Sequence, residues 1–263
     1  MKKETVTALT RINERFYSSR AADFSATRDG PWPGWQLLLS QLRQLTENAD
    51  TPHQVRILDV GCGNGRLQRF LTSHLASPTS YTGIDSSAQL LEEAHRQAPS
   101  EARWLRVDLT LTTSLDELAD ERFDFIAVLA VMHHIPSFAL RRHLLELLAP
   151  LLSPNGLLAL SHWQFGSSER FLGRTIAWED HNEHSEERID ITDLEIGDHL
   201  LAWGPGVEAS ADQPRRYCHH VGPDEARRLV TGLGLELNET FRADGRDRDL
   251  NLYQLFRTPG ATG

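Results

Sequence analysis

Ile57-Leu58-Asp59-Val60-Gly61-Cys62-Gly63-Asn64-Gly65 decides how this chain is read. A short apolar run beginning at Val55 ends in an acid, and three glycines follow before a helical pattern begins. Glycine tolerates the left-handed backbone of a tight turn and lets a ligand approach the main chain, while Asp59 can accept a hydrogen bond from a donor on that ligand. The glycines fall as G-x-G-x-G, not as the G-x-G-x-x-G of nicotinamide-binding turns.

Outward from this turn, strand and helix patterns alternate. Expected strands are Val55–Val60, Ser80–Ile84, Arg103–Val107, Phe123–Leu129 and Gly156–Trp163. Expected helices are Gly65–Leu75, Ala88–Gln97, Leu115–Ala119 and Phe138–Leu152. Such alternation means βαβ units, hence a parallel sheet covered by helices on both faces. Asp85 ends the second strand about 20 residues beyond the glycines, where an acid suits a ribose diol of either an adenosyl or a nicotinamide cofactor. Asp108 ends the third strand; it can accept from an adenine amino group or simply cap the segment that follows.

Upstream, Leu9, Ile12, Phe16 and Tyr17 have helical spacing within Glu4–Arg20, and a second helix is expected from Gly34 to about Thr46. Between them, Asp23–Pro33 should be extended through its prolines. Downstream, periodicity fails from Gln164 to Arg216, and the run Glu179–Glu187 reads as a solvated loop. This insertion is expected to form a partly mobile lid with Trp203 as its apolar anchor. A helix over Pro223–Leu233 and two strands, Leu235–Phe241 and Leu250–Phe256, close the pattern, the strands pairing antiparallel about Asp244–Asp247. The expected fold is a Rossmann-like, doubly wound, mostly parallel α/β sheet with an antiparallel last strand, an N-terminal helical extension and a long insertion after the fifth strand. It is read as one domain: cap 1–50, cofactor core 51–163, insertion 164–221, and C-terminal helix and strands 222–263.

The 263 residues, 40% hydrophobic and 24% charged, suit one large globular domain. No apolar run reaches the length of a membrane span and the first residues lack the apolar stretch of a signal peptide, so a cytoplasmic location and no membrane partner are expected. Two cysteines, Cys62 and Cys218, are too few for a disulfide framework. His219 and His220 adjoin Cys218, but consecutive residues do not readily ligate one metal, so no metal centre is expected. A net charge of −10 opposes broad, sequence-independent binding to nucleic acid, though not local recognition.

The glycine turn with acids at successive strand ends resembles the class I S-adenosylmethionine-dependent methyltransferases. The resemblance implies S-adenosylmethionine as cofactor, with Asp59, Gly61, Gly63 and Ala130 around its methionine end. It also implies Asp85 on the ribose and Asp108 with Leu109 at the adenine.

A narrower resemblance covers three further blocks: Phe24–Pro33, containing Thr27-Arg28 and Pro31-Trp32-Pro33; Val131-Met132-His133-His134-Ile135; and Arg216-Tyr217-Cys218-His219. These are similar to signatures of the tRNA wobble-uridine carboxymethyl methyltransferases, which esterify a carboxymethyl group on that base. Gly197–Trp203 is similar to a further segment of that family, whereas Cys218 stands where the family often has an aromatic. The resemblance implies Arg28, Trp32, His133 and Arg216 around the acceptor, and a small activating partner protein. Trp32 has a second reading as packing for the N-terminal segment. The chemistry fits, because a carboxylate is already ionised at neutral pH and needs no strong base. A small-molecule acceptor, a carboxylate or another metabolite, is the alternative to tRNA.

Overall fold

A computed structural model describes residues 1–26, 30–47, 54–75, 79–98, 102–204 and 213–259. Its centre is a seven-stranded sheet built from β1 (Val55–Val60), β2 (Thr79–Asp85), β3 (Arg103–Arg106), β4 (Phe123–Leu129), β5 (Leu152–Trp163), β9 (Glu236–Ala243) and β10 (Asn251–Arg257). The order is β3-β2-β1-β4-β5-β10-β9. β10 runs antiparallel to both β5 and β9, and the neighbouring pairs from β3 to β5 are parallel. Parity explains why β1 and β4 read as nearly continuous apolar runs. Ile57, Phe125 and Ala127 pack towards α2 (Pro33–Glu47) and α3 (Arg66–His74). Leu58, Val60, Ile126 and Val128 pack on the opposite face, towards α5 (Phe138–Leu148) and α8 (Pro223–Val230). Both faces are covered, as a parallel sheet requires.

Several boundaries move for local reasons. α5 stops at Leu148 because Pro150 cannot continue it, and a 3-10 turn, Ala149–Leu151, leads directly into β5. Asp116–Leu118 is likewise a 3-10 turn. α8 ends at Val230, ahead of Gly232, which sits at φ 76°. The hairpin between β9 and β10 turns where expected, with Asp244 and Gly245 at φ 69° and 71°. The buried Asp244 carboxylate accepts from the Gly34 amide at 2.9 Å, Asn251 at 2.7 Å and the Tyr253 hydroxyl at 2.6 Å, which ties the start of α2 to the hairpin.

The larger corrections lie outside the core. α1 (Lys3–Ala26) continues through residues 23–26 that the prolines downstream suggested would be extended. The insertion is not irregular. It contains α6 (Glu169–Leu172), α7 (Trp178–His184) and an antiparallel sheet of β6 (Thr175–Ile176), β7 (Asp198–Ala202) and β8 (Arg215–His219). α7 also replaces most of the solvated loop expected at 179–187. Its ring His181 is buried, and Glu187 just beyond it pairs with Arg11 and Arg15 of α1. Leu9 and Ile12 of α1 pack on Ile176, Ile189, Leu200, Ala202 and Tyr217, so extension and insertion share a small core of their own. Trp203 meets Phe16 edge-on at 5.7 Å.

Candidate functional site

A cavity of about 680 Å³ opens at the carboxyl ends of β1, β2 and β4. Strand order reverses there, between β1 and β4, and open α/β sheets hold ligands at that point. The glycine turn forms its floor. Gly61, Gly63 and Gly65 have φ of 72°, 54° and 76°. The Gly61 and Cys62 amides both donate to the Ile84 carbonyl, which pins the turn to the end of β2. A side chain on Gly61 would collide with Val131 at 2.3 Å, whereas one on Gly63 would meet nothing within 4 Å. Gly63 therefore presents bare backbone to open space, a cradle that fits a ligand.

The acids sit at successive strand ends but in different surroundings. Asp59 is buried and accepts from the Tyr81 hydroxyl. Burial pushes its carboxyl up to about 7, against the Tyr81 hydrogen bond and with help from the Asp85 charge. Asp85 accepts from the amides of Gly63 and Ser87, each at 2.9 Å, yet burial still raises its carboxyl above the ordinary range. Asp108 Oδ1 accepts from the Thr110 amide at 2.9 Å, the Thr110 hydroxyl at 2.7 Å and the Leu111 amide at 3.2 Å, so it does cap its own turn. Asp59, Asp85, Asp108 and Leu109 all line the cavity. Ala130 lines it too, held at φ 58° with its amide donating to Ser161 Oγ at 2.9 Å. A non-glycine residue in that region is held there by its surroundings.

At the other end the wall comes from α1, from Trp32 and Trp35, and from the 3-10 turn Met132–His134 after β4. Trp32 packs at 5.6 Å from Trp35, and the Arg66 guanidinium lies over both rings at 5.5 and 5.2 Å. Trp32 thus lines the cavity and also packs on Trp35. Of the two histidines, His134 faces the cavity. His133 is buried, its ring tilted at 4.0 Å from His134 and edge-on at 5.4 Å to Trp163, and is not part of the lining. Arg216 is buried between Phe16 (5.6 Å) and Trp163 (5.0 Å) and is not part of the lining. Arg28 lies outside the described residues.

The sequence reading missed Asn13, Tyr17, Trp35 and Arg66 of the lining. Asn13 and Tyr17 stand one helical turn apart, beside the buried stripe of Leu9, Ile12 and Phe16. That polar pair next to an apolar stripe was the available signal. A separate polar network braces the turn from behind. The fully buried Arg141 of α5 donates to Glu225 at 2.8 Å and to the Ile135 carbonyl at 2.9 Å, and pairs with Glu195 of the insertion.

This sheet order, with its reversed penultimate strand and a glycine-floored cavity at the switch point, is the fold shared with the methyltransferase structures aligned below. Residues 58–158 match the family described as a methyltransferase domain. The chain is 33% identical over 124 residues to an uncharacterised methyltransferase of Mycobacterium tuberculosis, covering 46% of this chain and 57% of that protein. So the chain spans little more than half the length of that relative. A protein of Encephalitozoon cuniculi named as a methyltransferase is 29% identical over 228 residues, 86% of this chain and 88% of its own length. The trans-aconitate 2-methyltransferase of Pseudomonas paraeruginosa is 33% identical over 133 residues, 49% of this chain and 44% of that one. Among solved structures, a methyltransferase of Clostridium acetobutylicum aligns over 94% of this chain and 99% of its own (TM-score 0.62, 12% identity). The N-methyltransferase NodS of Bradyrhizobium japonicum, solved with S-adenosylhomocysteine, aligns over 96% and 98% (TM-score 0.55, 17% identity).

Residues 58–158 thus match a methyltransferase domain, and the fold is the one shared with these methyltransferase structures. Among the described residues, no helix is long and apolar enough to cross a membrane.

Proposed function

We propose that this protein transfers the methyl group of S-adenosylmethionine to a carboxylate oxygen, the acceptor being the carboxymethyl group of a tRNA wobble uridine. Asp85 holds the ribose, Asp108 and Leu109 flank the adenine, and Asp59 with Gly61, Gly63 and Ala130 surrounds the methionine end. The cofactor supplies an electrophilic methyl on a sulfonium. The protein's share is to exclude water and align the acceptor oxygen, since the opposite charges cancel during transfer and no base is needed.

Arg216 carries this reading. The residue is 7% exposed, its guanidinium lies between two aromatic rings, and among the described residues no carboxylate pairs it and Nη1 has no hydrogen-bond partner. An uncompensated buried cation is costly, and an anionic group on the acceptor offsets that cost. Arg28 and Trp32 are assigned to the same acceptor on their sequence signature, and His133 supports the turn that His134 presents. The signatures also imply a small activating partner protein and a cytoplasmic setting for tRNA modification.

A second reading, a small carboxylate as acceptor, draws on the trans-aconitate methyltransferase among the relatives. Labelled cofactor incubated with total tRNA and, separately, with a small-metabolite extract tests both. Label in tRNA supports the first reading and label in a small acid the second. Label in neither, with cofactor bound, overturns both.

A further inference from the structure

We infer that Tyr17 and His134 are positioning residues: neutral His134, protonated on Nδ1, accepts a hydrogen bond from the Tyr17 hydroxyl and so orients the Tyr17 oxygen towards Arg216 for an anionic acceptor. This rests on the reading of Arg216 just given.

Three contacts fix the arrangement. The Tyr17 hydroxyl lies 2.7 Å from His134 Nε2. His134 Nδ1 lies 3.4 Å from the Tyr217 carbonyl, which can only accept. That contact places the ring proton on Nδ1, and Nε2 is left as a lone pair that must accept from Tyr17. Asn13 Nδ2 lies 3.5 Å from Nδ1, and an Nδ1 proton requires that amide turned end for end, with Oδ1 as a second acceptor. With its proton committed to His134, the Tyr17 oxygen keeps lone pairs for the Arg216 guanidinium, which lies 5.6 Å over the ring of Phe16, the residue next to Tyr17, and whose charge Tyr17 favours. Nη1 of Arg216 has no hydrogen-bond partner among the described residues and is left for the acceptor. The carbonyl that anchors His134 belongs to the residue after Arg216 on β8, so both ends of the relay hang on one strand.

Protonation of His134 breaks this geometry. An Nε2–H would donate to the same Tyr17 oxygen that Arg216 uses, and two cations would then share one phenol. Among the described residues, the charged and titratable groups near the ring are Tyr17 and, across the cavity, Glu14 of α1; His133 on its own turn; and Cys218 of β8. None of them replaces the lost acceptor, because the relay needs a lone pair at Nε2.

The test has two arms, on the full chain. Nitrogen-15 NMR of the histidine rings, without any acceptor, should show His134 neutral with its proton on Nδ1, and Tyr17→Phe should shift the Nε2 resonance. In methyl transfer, His134→Ala and Tyr17→Phe should raise acceptor KM about tenfold, equivalent to roughly 1.4 kcal/mol, with cofactor affinity unchanged. The wild-type KM should rise as pH falls. His134→Gln places a non-titrating oxygen near the Nε2 position, so it should recover most of what His134→Ala loses and abolish that acid rise. An Nε2–H tautomer, a wild-type KM in Tyr17→Phe, or an acid rise that survives in His134→Gln overturns the inference. The NMR arm needs no acceptor, so it decides the relay even where the assignment of the acceptor fails.

Discussion

Asp85 and Gly63 are joined across the floor of the cavity: the carboxylate at the end of β2 accepts from the glycine amide at 2.9 Å and so sets the shape of the turn after β1. The same acid is assigned to the cofactor ribose. Asp85→Ala should therefore weaken S-adenosylmethionine by about 1–3 kcal/mol, the cost of losing charge-assisted hydrogen bonds. Calorimetry checks this, and unchanged affinity would remove Asp85 from the site.

Asp59 should make cofactor binding depend on pH. Burial holds its carboxyl up at about 7, so in the free protein it is substantially protonated below neutrality. The methionine end brings an ammonium and a sulfonium, and nearby positive charge favours the ionised acid. Binding should then release a proton, and affinity should climb as pH rises from about 5 to about 7.5 before levelling. For folding, the sign is opposite. An acid whose folded value is raised stabilises least when ionised, so the free protein should lose stability from this group as pH rises from its ordinary value near 3.8 to about 7. Asp59→Asn should flatten both dependences, read by titration calorimetry in buffers of different ionisation enthalpy and by thermal melts.

Arg141 should be a keystone of stability. It is fully buried and joins α5 to Glu225 of α8 and Glu195 of the insertion. Arg141→Ala leaves those acids without their buried cation and should cost about 3–5 kcal/mol in urea unfolding. His219 in the same network is lowered by burial but raised more by hydrogen bonds to Asp198 and Glu225, for a net rise. Its contribution is full below the ordinary value of 6.5 and is lost as pH rises through the folded value. The destabilisation by His219→Gln should accordingly shrink towards alkaline pH.

Arg216→Lys keeps the charge but loses the planar fork that recognises a carboxylate. It should impair transfer at least about tenfold, roughly 1.4 kcal/mol, while cofactor affinity stays the same. Full activity in this variant would contradict the assignment of Arg216 to the acceptor.

The core was legible because its residues answer to one periodicity each. β1 and β4 are buried on both faces and end at the cavity, so apolar runs closed by an acid or a small residue revealed them. The insertion was not legible, because β6 has two residues and β7 five, too short for a pattern to emerge from charged surroundings. Its order comes from α1, far away in sequence, whose Leu9 and Ile12 fill its core. Likewise Asp59, Asp85 and Asp108 follow from strand ends, but nothing in His133-His134 says which ring a 3-10 turn directs to the cavity. Tyr17 reaches the site only through the packing of α1 on β8.

The chemical nature of the product tests the central claim most directly. Label transferred from S-adenosylmethionine to a carboxylate forms a methyl ester, which mild alkali hydrolyses to volatile labelled methanol. The expected result is release of nearly all transferred label under alkali, from the wild-type enzyme acting on total tRNA or on a small carboxylate. Label that survives alkali, as an ether, amine or carbon-bound methyl would, contradicts the assignment of a carboxylate acceptor.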